Sequence, residues 1–101
     1  MNEVLQLEEF AKQYGKIEKD EKNWIEKIRS QLAENLDVGK PLRFNWFREK
    51  KFKDKRLFYL INESTHKALL LFFKGKKEQQ DIITHIIANK EAYLELISTA
   101  P

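Results

Sequence analysis

The 101-residue chain contains no cysteine and few residues that interrupt regular structure, with three glycines and two prolines. The absence of cysteine excludes disulfide bonds and thiolate metal sites, and it suits a reducing compartment. So few glycines leave no room for a glycine-rich phosphate-binding loop or a long flexible linker. The longest apolar run, residues 68–73, is far too short to cross a bilayer, and the N-terminus shows no secretory signal pattern. We therefore expect one compact cytoplasmic domain over residues 1–101, with no membrane partner.

Positive charge is concentrated in the middle of the chain. Residues 40–77 carry twelve Lys or Arg against three Asp or Glu, a local balance of +9, whereas residues 1–39 and 78–101 each have a balance of −3. A solvated lysine face without a partner would explain evenly spread charge, but segregated charge favours binding of a polyanion. Aromatic residues interleave with these cations, which indicates a folded basic surface and makes nucleic acid the first partner to consider. Among them, Trp46 is expected in the core, with stacking on a base as the alternative.

Apolar residues recur at helical spacing in the first part of the chain. The pattern predicts a helix over residues 8–14, and a second helix that begins at an N-cap at Asp20, has an apolar stripe reaching Leu36 and is stopped by Gly39. Gly39 and Pro41 then mark a break in the helical pattern. Because the connection between the helices is about five residues long, we expect them to form an antiparallel helical hairpin.

The rest of the sequence predicts strands and one more helix. Alternating apolar residues predict a strand over residues 56–61, and the apolar run at residues 68–73 predicts a strand covered on both faces. Residues 42–52 fit a strand with an irregular approach, residues 1–7 fit either a short strand or the lead into a helix, and residues 78–98 fit an amphipathic helix. The predicted fold class is α+β, with an antiparallel sheet of three to four strands packed on the N-terminal helical hairpin, and a C-terminal helix.

Three short segments, taken in order, resemble one known family. Residues 32–42 end in Gly-Lys-Pro-Leu after the second helix, residues 55–63 place Arg56 before alternating apolar residues, and residues 68–78 end an apolar strand with Lys-Gly-Lys-Lys-Glu. This arrangement is similar to the RelE-like branch of the RelE/ParE superfamily, toxins of type II toxin–antitoxin systems. The resemblance implies a metal-independent endoribonuclease that cuts messenger RNA on the ribosome and needs no cofactor. It also implies a cognate acidic antitoxin that neutralises the toxin in a hetero-oligomeric complex.

The same resemblance implies which residues act. Attack of a ribose 2′-hydroxyl on the adjacent phosphate needs a base, cations that stabilise the phosphorane, and an acid for the leaving oxygen. Arg56 would hold the scissile phosphate and Lys77 would stabilise the transition state. Lys51 or Lys53 would serve as general base if neighbouring cations lower its pKa. The further cations of the basic segment that we expect to bind RNA, on the ground of charge rather than resemblance, are Arg43, Arg48, Lys50, Lys55, Lys74 and Lys76.

One feature of some RelE toxins, a tyrosine shortly beyond the last basic position, is missing from this chain. Ile83 stands there, and Tyr59 and Tyr93 are the candidate substitutes. A non-catalytic binder on the same fold, either a gyrase inhibitor or an RNA-binding protein, therefore stays open as an alternative, as does an inactive orphan. His66 and His85 are expected to be exposed and to form no metal site.

Overall fold

The structure, a computed structural model, describes residues 1–99 as one five-stranded sheet with helices on both faces. The strands are β1 (Glu3–Gln6), β2 (Lys40–Leu42), β3 (Phe44–Phe52), β4 (Lys55–Asn62) and β5 (Lys67–Gly75). The helices are α1 (Glu8–Tyr14), α2 (Lys19–Glu34), α3 (Gln79–Ala88) and α4 (Lys90–Glu95), with a 3-10 turn at Lys76–Glu78 between β5 and α3. The strand order is β1-β5-β4-β3-β2, in which β1 is parallel to β5 and every other pair is antiparallel. Within residues 1–99, every helix is too short or too polar to cross a membrane.

The sheet separates two apolar clusters, because successive side chains of a strand point to opposite faces. On β4, Leu57 and Tyr59 pack with residues of α1 and α2, whereas Phe58 and Leu60 pack with residues of α3 and the C-terminal segment. All four side chains are fully buried. The strand predicted over residues 56–61 is therefore confirmed as β4, and it is buried on both faces.

The sheet has more strands than the sequence predicted, for two local reasons. The ambiguous first residues form β1, which lies beside β5 and pairs with it in the parallel direction. Residues 42–52 divide because Arg43 has a left-handed backbone (φ 63°), which separates the short β2 from β3. Both additions lie at sheet edges, where short strands give the weakest periodicity for a sequence pattern to show.

Two predicted helix boundaries were wrong. Helix α2 begins after Glu18 rather than Asp20, because Glu18 and Glu21 form a reciprocal capping box. It ends at Glu34, and Leu36 is buried in the segment that follows the helix. An apolar residue at helical spacing can thus join the core from outside the helix.

The predicted C-terminal helix is divided into α3 and α4 at Asn89. The Asn89 amide donates to the His85 carbonyl (3.1 Å), and its side-chain amide donates to the same oxygen (2.8 Å). Asparagine competes with the helical backbone for hydrogen bonds in this way, so it favours a helix end over a helix interior. Ile86 of α3 and Ile97, which follows α4, belong to one apolar cluster.

Candidate nucleic-acid interface

Three predicted cations form a row across the sheet. Lys51 of β3 lies opposite Arg56 of β4, and Arg56 lies opposite Lys74 of β5. Directly opposed residues share a face, and Arg56 precedes the buried Phe58 by two positions, so the row lies on the α3 face of the sheet. Lys51 is exposed and Arg56 and Lys74 are half-buried, which places the row at the rim of that apolar cluster.

Two shallow concavities meet at this row. The first, of about 500 Å³, is lined by Gly39, Lys40, Glu49, Lys50, Lys51 and Arg56. The second, of about 290 Å³, is lined by Lys51, Lys53, Asp54, Arg56 and Lys76. Lys51 and Arg56 line both, so they form the ridge between them. We call Lys40, Lys50, Lys51, Arg56 and Lys76 the cation cluster.

A carboxylate that the sequence did not single out lies inside the cation cluster. Glu49 Oε1 is 2.7 Å from Arg56 Nη1, and the Glu49 side chain is only 6% exposed. Its second oxygen, Oε2, is buried and has no hydrogen-bond donor among residues 1–99. Burying a carboxylate is costly unless it is paired, so Arg56 is a structural partner as well as a candidate phosphate ligand. The alternation of Phe47, Glu49 and Lys51 along β3 is the signal that could have placed Glu49 here.

Lys53 is ill suited to the predicted role of general base. It forms the tip of the β3–β4 hairpin with a left-handed backbone (φ 56°), and its ammonium lies 3.0 Å from Asp20 Oδ2. The hydrogen bond with Asp20 and the charge of that carboxylate raise the pKa of Lys53. A lysine base needs a lowered pKa, so the environment acts in the opposite direction.

Two predicted RNA-binding cations are engaged away from the cation cluster. Arg48, whose side chain is 5% exposed, points to the α2 face and lies 3.2 Å from Asp37 Oδ1. Lys55 Nζ lies 2.6 Å from Glu21 Oε2 of α2. Each is therefore held by an acidic residue of the N-terminal part of the chain, and their contact with RNA stays a prediction.

Lys77 and Arg43 lie outside both concavities. Lys77 is exposed in the 3-10 turn, where its neighbour Lys76 lines the second concavity instead. Arg43 is exposed at the bend before β3, roughly 25 Å along the strand from Lys51. The structure therefore brings together Lys51, Arg56, Lys50 and Lys76, and leaves these two cations apart from them.

Neither candidate tyrosine reaches the cation cluster. Tyr59 is buried on the opposite face, where its hydroxyl donates to the Val38 carbonyl and burial raises its pKa. Tyr93 lies beside α1, with its hydroxyl 2.9 Å from His85 Nε2. His66 and His85 are exposed, as predicted. Across residues 1–99 there is no group of three or more His, Cys, Asp or Glu that could hold a metal ion.

The aromatic residues at the start of β3 are occupied by one another. Trp46 is half-buried and stacks on Phe44 with ring centroids 4.8 Å apart, and it also lies against Phe47. Lys90 covers Phe44, 5.8 Å from the ring centroid. Trp46 thus lies at the margin of the core. This agrees with its expected placement in the core rather than with the alternative of stacking on a base.

Comparison with known proteins identifies the fold. No family model matches the sequence, and no curated protein matches it. Among solved structures, the chain is similar to a mutant of the E. coli toxin RelE in complex with a peptide of the antitoxin RelBc, with a TM-score of 0.65 and 11% sequence identity. The match covers 80% of this chain and 93% of that chain. The protein therefore has an α+β, RelE-like fold, and the predicted fold class is confirmed.

Proposed function

We propose that this protein is a RelE-like toxin that cleaves messenger RNA on the ribosome. The observation that carries the proposal is the Glu49 carboxylate, which has one oxygen on Arg56 and one buried oxygen without a donor in the described part of the chain. A ligand that pairs a phosphate with a neighbouring hydroxyl would satisfy both the cations and this oxygen. RNA presents that pair at each ribose, through its 2′-hydroxyl.

The reaction uses the cation cluster and Glu49 together. Arg56 and Lys51 hold the scissile phosphate where the two concavities meet. Glu49 lines the first concavity, and once its carboxylate turns so that Oε2 faces the ligand, it accepts the proton of the 2′-hydroxyl. The 2′-oxygen bonds to phosphorus, the bond from phosphorus to the 5′-oxygen breaks, and Lys76 donates a proton to the leaving oxygen. The products are a 2′,3′-cyclic phosphate and a 5′-hydroxyl, and the cations stabilise the negative charge that develops between them. Lys76 here acts as the acid, for which the resemblance named no residue, whereas Lys77, expected to stabilise the transition state, lies outside both concavities.

The ribosome supplies what the concavities lack. They are shallow and lined mainly by cations, so they hold phosphates well but offer few groups that would select or orient bases. A messenger already positioned in a decoding site needs only this grip and the proton transfers. We further propose an acidic antitoxin that covers the cation cluster by charge complementarity. The similar RelE structure contains an antitoxin peptide, which supports a partner of that kind.

The test is cleavage of a translated message, mapped by primer extension with and without ribosomes. We expect cuts by the wild-type protein only on ribosomes. Glu49→Gln keeps the size of the side chain but removes its capacity as a base, so cleavage should fall by roughly 10²–10⁴-fold while ribosome binding persists. Lys27→Ala is the matched control, because it removes an exposed cation of α2 and should leave cleavage unchanged.

Other results would separate the alternatives. Full cleavage by Glu49→Gln would refute the assigned base. Growth arrest with intact messages and altered DNA supercoiling would replace the nuclease by a gyrase inhibitor on the same fold. Expression without growth arrest, together with no ribosome binding at low salt, would indicate an inactive orphan.

A further inference from the structure

Two buried polar side chains on the α2 face hold the turn that leads into β2. Arg48 and Tyr59 lie opposite each other on β3 and β4, and they are 4% and 0% exposed. The Tyr59 hydroxyl donates to the Val38 carbonyl. Arg48 Nη1 donates to the Gly39 carbonyl at 3.5 Å, and Arg48 Nη2 lies 3.2 Å from Asp37 Oδ1. We call Arg48 and Tyr59 the clamp.

Gly39 shows how closely the clamp fits the turn. Its backbone is left-handed (φ 84°), which glycine adopts without strain. A Cβ at this position would overlap the Tyr59 hydroxyl and would lie 2.8 Å from the Glu49 carbonyl oxygen. The turn is therefore pressed between the clamp and the backbone of β3, and only glycine fits there.

The residue after this turn belongs to the cation cluster. Lys40 lies opposite Glu49 in the β2–β3 ladder, so both line the first concavity. Arg48 and Glu49 are adjacent on β3 and point to opposite faces. One step of β3 therefore holds the turn from one face and presents the carboxylate on the other.

We propose that Arg48 and Tyr59 are positioning residues that fix Lys40 opposite Glu49, where Lys40 binds an RNA phosphate. The inference rests on the proposed RNA-binding function of the cation cluster. Burying an arginine side chain destabilises a protein unless its N–H groups are hydrogen-bonded. Arg48 donates to the Asn45 carbonyl (3.0 Å), to the Asn45 side chain and to the turn. Without the clamp, Lys40 would sit at the free end of a three-residue edge strand and would have to be ordered at each binding event.

The first test measures the turn itself and needs no RNA. Tyr59→Phe removes one hydroxyl from the clamp and keeps the ring in the core. We expect the backbone order parameters of Gly39 and Lys40, measured by NMR relaxation, to fall from about 0.85 to below about 0.6. Tyr93→Phe is the matched control, because it removes a hydrogen-bonded hydroxyl beside α1 and should leave the turn rigid. A rigid turn in Tyr59→Phe would overturn the proposal.

The second test is a double-mutant cycle on affinity for a short single-stranded oligodeoxynucleotide, which offers phosphates but cannot be cleaved through a 2′-hydroxyl. Lys40→Ala should weaken binding about tenfold, the size of one charge-assisted hydrogen bond. Tyr59→Phe should weaken binding by a factor between about three and ten. The double variant should bind no more weakly than Lys40→Ala, because both changes remove the same contact.

The outcomes separate this inference from the proposed function. Wild-type binding with additive losses in the double variant would refute the link between the clamp and Lys40, and would leave the nuclease proposal intact. A wild-type protein that neither binds the oligonucleotide at low salt nor engages ribosomes would refute the nucleic-acid function, and with it the role of Lys40. A Tyr59→Phe variant that is less stable but binds the oligonucleotide with unchanged affinity would refute the proposal, because the clamp would then stabilise the fold without positioning Lys40.

Discussion

Replacement of Arg56 by alanine should destabilise the protein as well as inactivate it. Arg56 Nη1 is 2.7 Å from Glu49 Oε1, and the two side chains are 27% and 6% exposed. Removing one partner of a buried ion pair costs about 3–5 kcal/mol, because the other charge stays buried and uncompensated. Arg56 is partly exposed, and its removal opens the concavity to water, so we expect a smaller loss of about 2 kcal/mol. For a domain of this size that loss lowers Tm by roughly 8–16 °C.

Urea unfolding followed by tryptophan fluorescence would measure this loss, and a second variant would identify its cause. In the double variant Arg56→Ala, Glu49→Gln the stranded charge is absent, so part of the stability should return, with a coupling energy of about 1–2 kcal/mol. Lys51→Ala is the control, because it removes an exposed neighbouring cation and should change stability by less than about 0.5 kcal/mol. If Arg56→Ala unfolds at the wild-type urea concentration, or if the double variant is no more stable than the single one, the buried-pair reasoning is wrong.

Two further predictions concern charge. The hydrogen bond from Lys53 and the charge of its ammonium lower the pKa of Asp20 below the ordinary value of 3.8. The pair therefore stabilises the fold at neutral pH, and this contribution is lost as the pH falls through the lowered pKa. Carboxyl-carbon NMR should show a higher pKa for Asp20 in Lys53→Ala, and an unchanged pKa would contradict the pairing. A plot of the logarithm of the binding constant for single-stranded nucleic acid against the logarithm of the salt concentration should have a slope of about −3.5, as expected for the five members of the cation cluster. A slope of about −8 would mean that all twelve cations of residues 40–77 take part.

Sequence periodicity predicted the helices and strands whose apolar residues recur at regular spacing. It missed the breaks that depend on the conformation of a single residue. Strand β4 and helix α1 follow apolar spacing, and both were predicted within a residue or two. The separation of β2 from β3 depends on the left-handed backbone of Arg43. Arginine rarely adopts this conformation, so the sequence does not predict a break there. The division at Asn89 depends on one side chain that bonds to the preceding turn, and the surrounding apolar spacing continues through it.

The candidate site was predictable as a surface and only partly as a set of residues. Charge density located the basic face, and alternation placed Lys51 and Arg56 on it together. The sequence did not reveal which cations are neutralised, because their partners lie far away in the chain. Lys53 and Lys55 contact carboxylates more than thirty residues earlier, and such contacts have no local signature.

In the folded protein, acidic residues of the two flanks form ion pairs with several cations of the basic segment. These pairs determine which cations stay available to a ligand. Five cations of residues 40–77 form ion pairs with acidic residues from the two flanks: Arg48 with Asp37, Lys53 with Asp20, Lys55 with Glu21, Lys67 with Glu3, and Lys74 with Glu78. Within residues 1–99, Arg56 is the one member of the cation cluster that forms an ion pair, and its partner Glu49 lies inside the same site. The acidic flanks therefore pair with five cations of the basic segment, and four of the five members of the cation cluster are not among the ion pairs of residues 1–99. A phosphate that approaches the protein therefore meets positive charge confined to the cation cluster, and Glu49 lies inside that cluster, where the proposed cleavage needs a proton acceptor.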